Sequence, residues 1–389
     1  MGSSEARGSL VTENGLPERI GPYAVERLLG SGGMGAVYLA YSVAGDPVAV
    51  KVIRPDKIDP HSRVRFEREA EIARTISGTG RVARFLDADP LAEQPWLAMD
   101  YVPGRSLTEV VKNQGPLSVK GVASTGALLA EGLAVVHAAG LVHRDLKASN
   151  VILGDFGPVI IDFGLGAFLD SSKGSMSQPG TVLGTVRCMP PEQARGETDV
   201  TPAADVYGLG TVLLYAATGH YPYDGSRWEA VAVQVVSQDI APDLTGLPHG
   251  LIPLVASMLA FEPGDRPALD EATLQCADLL RSLGTSPARA RHELIQKTRP
   301  TSSGIAVAPQ PDAQMLDRLD ALDQLLRAEP EGDTPEGRIP ATPEAEPTAT
   351  TVLVAPADAK PGRPPASRRV AEELRKRYAK GPQLAWSSR

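Results

Sequence analysis

The sequence predicts an α+β fold, in which a small β-rich part is followed by a larger α-rich part. Short apolar runs of strand length, rich in β-branched and aromatic residues, fill most of residues 23–102. Beyond Pro103 the apolar residues recur at helical spacing instead. The composition changes again after residue 284, where 14 of the 34 prolines lie within 285–389. That proline density predicts a largely disordered C-terminal tail.

The individual elements follow from local patterns along the chain. Residues 1–20 are polar and rich in Gly and Ser, so we expect a disordered N-terminus. Charges interspersed among apolar residues over 60–76 predict a surface helix. Strands are predicted over 23–30, 36–44, 47–54, 81–89 and 95–102. Helices are predicted over 118–139, 202–219, 227–237, 248–260 and 269–283, with two short tail helices near 315–328 and 367–380.

The composition excludes several classes of protein. The net charge of −8 lacks the basic excess of a nucleic-acid-binding protein, so no nucleic-acid partner is expected. Two cysteines, Cys188 and Cys276, are too few for a disulfide framework or a Cys-rich zinc site, which favours a reducing compartment. The first fifteen residues contain no apolar stretch typical of a secretory signal. No uninterrupted apolar run reaches the ~18 residues of a membrane span. These observations predict a cytoplasmic chain without a transmembrane segment.

A glycine-rich segment, LGSGGMGAVY at 29–38, places Gly30, Gly32 and Gly35 in a G-x-G-x-x-G pattern. This pattern alone is shared by phosphate-binding loops and ordinary hairpins. Here it runs from strand into strand, whereas a dinucleotide-binding turn runs from strand into helix. Because glycine lacks a Cβ atom, the backbone of such a turn can approach a phosphate closely. At this point phosphate binding and a structural hairpin both remain open.

Lys51 ends the apolar strand VAVK. Burying an ammonium group without a counter-charge is costly, so this lysine must reach solvent or find an acidic partner. Glu69, on the predicted helix 60–76, is the natural candidate. Taken in isolation, a surface lysine and a solvated glutamate would explain these two residues better.

Polar residues crowd the run VHRDLKASN at 142–150, and Asp162 of IDFG follows twelve residues after Asn150. Asp145 could accept a proton from a hydroxyl group, and Lys147 could neutralise charge on a phosphate during its transfer. Asn150 and Asp162 supply hard oxygen ligands, which suit Mg²⁺. Phosphoryl transfer requires this inventory of an orienting carboxylate, metal ligands and cations.

The glycine-rich segment, VAVK, HRDLKASN and IDFG, in this order, resemble the protein-kinase signature set over about residues 23–283. The chain is similar to bacterial Hanks-type (eukaryotic-like) serine/threonine kinases. The resemblance implies a bilobal protein-kinase fold, with an N-lobe over 21–101, a C-lobe over 102–283 and the tail over 284–389. It also implies ATP and Mg²⁺ as cofactors, and Ser or Thr hydroxyls of proteins as phosphate acceptors.

The resemblance further assigns roles to single residues. Lys51 would hold the α- and β-phosphates and pair with Glu69, while Asp145 would be the catalytic base. The implied catalytic set is Lys51, Glu69, Asp145, Lys147, Asn150 and Asp162, of which Asn150 and Asp162 would bind the metal. Val37, Ala49 and Ile152 would enclose the adenine, beside the gatekeeper Met99. The implied nucleotide-binding set is Leu29, Gly30, Ser31, Gly32, Gly33, Met34, Gly35, Ala36, Val37, Ala49, Lys51, Met99, Asp100, Val102 and Ile152.

The segment GTVRCMPPEQ at 184–193 resembles the end of an activation segment. On that similarity Glu192 would pair with Arg266, and Asp205 would brace the catalytic loop. Thr185 would contact both Asp145 and Lys147. The lysine of DLKASN favours Ser/Thr over Tyr specificity, because tyrosine kinases of the family usually lack it.

Arg144, before Asp145, implies a kinase that is switched by phosphorylation between 171 and 185. Ser177 and Thr181 are the first candidates, and a merely flexible Ser-rich loop is the alternative. Weaker candidates are Ser171, Ser172 and Ser175.

Three positions depart from the family pattern. Ala148 stands where relatives often carry Pro, which should matter little. Cys188 and Pro190 replace an aromatic and a small residue on the expected substrate-docking surface, so they bear on peptide preference rather than on the chemistry. Cys188 is compatible with a redox sensor and with a packed thiol, and base rates favour the packed thiol.

The tail offers one candidate for self-association. Apolar residues recur at 4-3-4 spacing over 315–328, which predicts an amphipathic helix that could dock or dimerise, as could the kinase domain itself. The basic run near Arg375 is more typical of a solvated surface. Two rival functions remain, a pseudokinase scaffold and a small-molecule phosphotransferase. The occupied catalytic positions argue against the first, and the activation segment argues against the second.

Overall fold

The computed structural model describes residues 15–32, 35–54, 68, 70–76, 80–162, 184–197, 199–299 and 312–328. They form a sheet-rich N-lobe and a helical C-lobe, as predicted. Residues 1–14 of the N-terminus, the activation-segment candidates within 171–183 and the predicted helix 367–380 lie outside the described residues. The N-terminus was predicted to be disordered over 1–20, but Arg19–Ile20 form a strand and Ile20 is buried.

The N-lobe contains a six-stranded antiparallel sheet in the order β1-β2-β3-β4-β6-β5. Alternate residues of β4 face opposite sides, as the pleat requires. Val48 and Val50 pack with Trp96 on one side, while Ala49 and Ile53 pack on the other side. The strands are β1 Arg19–Ile20, β2 Tyr23–Gly32, β3 Gly35–Tyr41, β4 Pro47–Ile53, β5 Phe85–Asp89 and β6 Trp96–Asp100.

Part of the predicted helix 60–76 lies within the described residues. Residues 70–73 are helical, and Ala70 and Ala73 are buried against the side of the sheet that carries Ala49 and Ile53. This helix therefore closes the face of the N-lobe sheet that leads to the cleft.

The C-lobe is built around two buried helices and a small sheet. A three-stranded sheet, β7-β8-β9, includes the two strands that connect HRDLKASN to IDFG along the chain. Its strands are β7 Arg105–Ser106, β8 Val151–Gly154 and β9 Gly157–Ile160. The helices are α1 Leu107–Gln114, α2 Val119–Ala138, α3 Pro191–Ala194, α4 Ala203–Thr218, α5 Trp228–Val236, α6 Ile252–Met258 and α7 Leu269–Ser282. Short 3-10 turns cover Ala148–Asn150, His249–Leu251 and Pro263–Asp265.

Within the described part of the chain, α2 alone is long and apolar enough to cross a membrane by length and composition. Its Leu129 and Leu133 are fully buried in the C-lobe core, where they pack with residues of α4. The apolar character of α2 is therefore accounted for by the protein core.

Two further helices follow the predicted boundary at 283, and the sequence patterns predict only the second of them. The helix α8, Pro287–Thr298, buries Ala290 and Leu294 against the C-lobe, so the packed lobe extends beyond 283. Ser286 caps its first turn by accepting from the main-chain N of Arg289, and proline occupies its first position. The proline-rich composition of this region predicted disorder instead of a helix. Proline breaks a helix interior, but it is favoured at a helix start, where Pro287 lies. The helix predicted at 315–328 is present as α9, Ala313–Ala328.

Candidate active site

A cleft of about 760 Å³ separates the two lobes. Its walls bring together residues that are more than one hundred positions apart in the sequence, including Lys51 and Asp162. The predicted residues that line the cleft are Leu29, Gly30, Ser31, Gly32, Gly35, Val37, Ala49, Lys51, Met99, Asp100, Val102, Asp145, Lys147, Asn150, Ile152 and Asp162.

The glycine-rich segment forms the antiparallel turn between β2 and β3 that its sequence predicted. Gly32 pairs with Gly35 across this turn. At Gly35 the backbone has φ 153°, and a Cβ atom there would overlap the main-chain oxygen of Val52 on β4. Gly35 is therefore required by the close approach of strand β4, whereas a Cβ atom on Gly30 would meet open space.

The apolar walls of the cleft follow from strand alternation. Ala49 and Lys51 are two residues apart on β4, so their side chains share one face of the sheet. Met99 lies opposite Ala49 on β6, and Ile152 of β8 closes the cleft from the C-lobe. These four side chains leave a slot with apolar walls and a cationic end.

Lys51 is 7% exposed, and its Nζ donates to both carboxylate oxygens of Asp162, at 2.7 and 2.6 Å. Burial alone would raise the pKa of the Asp162 carboxyl. The charge and hydrogen bond of the adjacent Lys51 ammonium, together with the charge of Lys147, outweigh burial, so this pKa lies below its ordinary value of 3.8. The predicted partner Glu69 lies outside the described residues. Asp162 also has a left-handed backbone, φ 63°, a costly conformation that the surrounding contacts must hold.

The Lys51–Asp162 ion pair predicts a specific pH dependence of stability. Because the pKa of Asp162 is depressed in the folded chain, the pair stabilises the fold above the unfolded pKa of 3.8 and loses this effect as the pH falls further. We expect Lys51→Met to lower the free energy of unfolding at about pH 6, and to lower it by less at about pH 3. Urea unfolding at several pH values measures the free energy of unfolding. The control is Lys112→Met, because Lys112 is exposed. A loss that is independent of pH would contradict the assignment.

The catalytic-motif residues Asp145 and Lys147 form a second ion pair within the cleft. Lys147 Nζ donates to Asp145 Oδ2 at 2.7 Å, to Asp145 Oδ1 at 3.0 Å and to Thr185 Oγ1 at 3.1 Å. Burial would lower the pKa of Lys147, but the charge and hydrogen bond of Asp145, together with the charge of Asp162, outweigh burial, so the pKa lies above its ordinary value of 10.5. Lys147 is therefore cationic near neutral pH. The predicted contact of Thr185 with Lys147 is present.

Asn150 is 7% exposed and follows Asp145 by one short turn. Its Nδ2 donates to the main-chain oxygen of Asp145 at 2.9 Å, so its amide oxygen is directed away from that carbonyl. Together with the Asp162 carboxylate this gives two hard oxygen donors in one cleft. Mg²⁺ in phosphate-binding sites keeps waters and phosphate oxygens as its remaining ligands, so this donor set fits it. Among the described residues, no group of three or more His, Cys, Asp or Glu side chains could hold a metal.

The buried carboxylate of Asp205, on α4, fixes the backbone of the catalytic loop. It accepts from the main-chain N of His143 and of Arg144, each at 2.8 Å, and contacts His137 Nε2 at 2.7 Å. Arg144 has a left-handed backbone, φ 64°, and its carbonyl accepts from Gln193 Nε2 at 3.1 Å. This bracing was predicted, and it explains how the strained residue beside Asp145 is held in place.

A third ion pair, outside the cleft and buried, joins the end of the activation segment to the C-lobe. Arg266 donates to both oxygens of Glu192, at 2.7 and 2.8 Å, and their side chains are 0% and 4% exposed. Arg266 also donates to the main-chain oxygens of Ala203, Ala260 and Phe261. The predicted pairing is present, and every N–H donor of the guanidinium has an acceptor.

Cys188 lies in this region as a buried thiol. Burial raises the pKa of the Cys188 thiol to about 12, so the reactive thiolate is scarce near neutral pH. The structure therefore favours a packed thiol over a redox sensor.

Not every predicted site residue lies in the cleft. Ala36 does not line it, because alternate residues of β3 point to opposite faces and Gly35 and Val37 take the cleft side. Gly33 and Met34 lie outside the described residues. Lining residues that the motifs do not indicate include Tyr101 and Ile161, which flank predicted positions, and Tyr221, for which no local pattern gives a signal.

Comparisons with known proteins agree with this geometry. The family description "Protein kinase domain" matches residues 23–275. The probable serine/threonine-protein kinase PkwA of Thermomonospora curvata is 45% identical over 67% of this chain and 34% of its own length. The serine/threonine-protein kinase AfsK of Streptomyces coelicolor is 43% identical over 69% of this chain and 33% of its own length. The chain thus spans about a third of the length of these two curated relatives.

More distant relatives carry the same description. The serine/threonine-protein kinase PknB of Mycobacterium tuberculosis is 32% identical over 81% of this chain and 51% of its own length. Among solved structures, a point mutant of the PknI kinase domain of Mycobacterium tuberculosis superposes with a TM-score of 0.53 at 28% identity, over 66% of this chain and 95% of that chain. The chain therefore belongs to the protein kinase family, in its bacterial Hanks-type branch, as the sequence motifs predicted.

Proposed function

We propose that the chain is an ATP- and Mg²⁺-dependent protein kinase, which transfers the γ-phosphate to Ser or Thr hydroxyls of proteins. The observation that carries this proposal is the convergence of Lys51, Asp145, Asn150 and Asp162 on one cleft. The cleft has apolar walls for a base, a glycine turn above it, and two cations with two carboxylates at its inner end.

The reaction assigns one task to each of these groups. The acceptor hydroxyl oxygen forms a bond to the γ-phosphorus, the bond from this phosphorus to the bridging oxygen breaks, and ADP leaves. Asp145 orients the hydroxyl and accepts its proton. Lys147 lies within hydrogen-bond distance of Asp145, where its charge stabilises the phosphoryl group in transfer. A bound Mg²⁺, held by Asn150 and Asp162, would neutralise charge on the phosphates.

Specificity for Ser and Thr is supported by the Lys147–Thr185 contact, which links the catalytic loop to the end of the activation segment. The relatives described above are named serine/threonine kinases. A pseudokinase scaffold is disfavoured because every described catalytic position carries a competent side chain. A small-molecule phosphotransferase is disfavoured by the activation-segment end that Glu192 and Arg266 anchor.

Autophosphorylation tests this proposal directly. The full chain is incubated with ATP and Mg²⁺, and phosphosites are mapped by mass spectrometry. We expect phosphate within 171–185, on Ser177 or Thr181 first. Lys51→Met should lose this labelling, because the phosphates of ATP lose their buried cation. Equal labelling of Lys51→Met, or labelling that does not require Mg²⁺, would overturn the proposal.

We also propose that the catalytic domain works in a reducing, cytoplasmic compartment. Both cysteines are free and buried, so no disulfide contributes to the fold.

A further inference from the structure

The helix α9 lies beyond the family match at 275, and it contacts the outer face of the N-lobe. Its Met315, Leu319 and Leu322 are 5%, 3% and 4% exposed, and they form one buried cluster with Ala24 of β2 and Tyr41 of β3. Tyr41 is fully buried. The apolar stripe that could have mediated self-association is thus occupied by the chain's own N-lobe.

Polar contacts fix the orientation of α9 on this face. The guanidinium of Arg318 donates to two main-chain oxygens, that of Val25 at 3.0 Å and that of Glu18 at 2.6 Å. Asp312 caps the helix, because its Oδ1 accepts from the main-chain N of Met315 at 2.8 Å. An apolar stripe alone would allow the helix to slide, whereas a fork of donors on two carbonyls selects one position.

The strand that α9 holds is also the strand that covers the cleft. Near its start, β2 packs against α9 through Ala24. It ends at Gly32, and its Gly30, Ser31 and Gly32 line the cavity. Two irregularities in the pairing of β2 with β3, between Val25 and Arg27 and between Leu28 and Gly30, lie between these two regions.

The preceding helix α8 forms hydrogen bonds with the C-lobe. Arg291 of α8 donates through Nε and an Nη atom to the main-chain oxygen of Phe156, and Arg105 donates to the main-chain oxygen of Thr298. Phe156 is the turn of the β8–β9 hairpin, whose ends lead to Asn150 and Asp162. The two helices α8 and α9 therefore contact the C-lobe hairpin and the N-lobe strand that line the same cleft.

We propose that α9 is an intramolecular clasp, which holds the start of β2 and thereby raises the affinity of the cleft for ATP. This inference rests on the nucleotide site proposed above. The occupant of the N-lobe face is the chain's own helix, and its release would loosen the glycine turn over the phosphates. Binding energy at the cleft and at the clasp is then coupled.

The test compares two Leu→Asp changes on the same helix of the full chain. Leu319 is 3% exposed beneath α9, whereas Leu316 is 50% exposed. We expect Leu319→Asp to weaken ATP binding, measured by calorimetry, at least about fivefold and to speed hydrogen exchange in β2. Leu316→Asp should leave both unchanged. Arg318→Ala, which keeps the apolar stripe, should act in the same direction but less strongly, and it replaces Leu319→Asp if that variant does not fold.

Four results would overturn the clasp. Faster exchange in β2 with unchanged ATP affinity would show that the helix docks without affecting the cleft. A wild-type dimer that Leu319→Asp converts to a monomer in sedimentation experiments would assign α9 to a second copy instead. Absence of ATP binding in the wild-type chain would refute the proposed function together with the clasp, whereas intact binding that no variant changes would refute the clasp alone.

Discussion

Replacing Asp145 with Asn is expected to reduce phosphate transfer by at least about a hundredfold. Asparagine preserves the shape of the side chain but cannot accept the hydroxyl proton. It also removes the negative charge that holds Lys147, whose Nζ lies 2.7 Å from Asp145 Oδ2. ATP binding should persist, because the apolar walls and Lys51 are unchanged. Phosphate incorporation into a protein acceptor and ATP affinity are measured on the same sample.

Asp239→Asn provides the matched control, because Asp239 is exposed and lies outside the cleft. It should leave both quantities at the wild-type level. Undiminished incorporation in Asp145→Asn would remove Asp145 from its proposed role. Loss of ATP binding together with transfer would instead indicate that the substitution disturbs the cleft as a whole.

Truncating Arg266 to Ala is expected to destabilise the fold by about 3–5 kcal/mol. The change leaves the buried carboxylate of Glu192 without its counter-charge, and it removes donors from three main-chain oxygens. It also removes the stacking of the guanidinium on Tyr207, at 5.0 Å from the ring centroid. Urea unfolding measures the change in the free energy of unfolding.

The control is Arg281→Ala, since Arg281 pairs with Asp278 on the exposed surface of α7 with a side chain that is 60% exposed. That pair should contribute no more than about 0.5 kcal/mol. A double variant, Glu192→Gln with Arg266→Ala, should lose less than the sum of its single variants, because the unpaired charge is gone. Strict additivity would mean that the pair does not couple the activation segment to the C-lobe.

The sequence predicted most of the cleft because its short motifs, in their order along the chain, resemble those of protein kinases, and the resemblance implies the residues around them. HRDLKASN, IDFG, VAVK and the glycine pattern each occupy fewer than eleven positions, and sixteen of the predicted residues line one cavity. Their roles remain proposals, whereas their convergence is a property of the structure. Local periodicity likewise predicted the strands of the N-lobe and the helix α9.

Other parts of the structure could not be predicted from local sequence, either because no local pattern indicates them or because the overall composition favoured a different prediction. Tyr221 lines the cleft from a loop whose sequence resembles an ordinary connection. The helix α8 does carry a start signal, Ser286 followed by Pro287, but the proline-rich composition around it favours a disordered tail. Nothing in the spacing of Met315, Leu319 and Leu322 says whether the stripe meets its own N-lobe or a second chain.

The sequence by itself determined the class of fold and the set of reactive groups, since both depend on residue type and short-range spacing. Only the tertiary structure decided two sets of partners, namely Asp162 beside Lys51 and Arg318 on the carbonyls of Val25 and Glu18. An ion pair or a docked helix depends on distances between segments that are far apart in the chain. Those distances are set by the packing of the whole core, which no local pattern encodes.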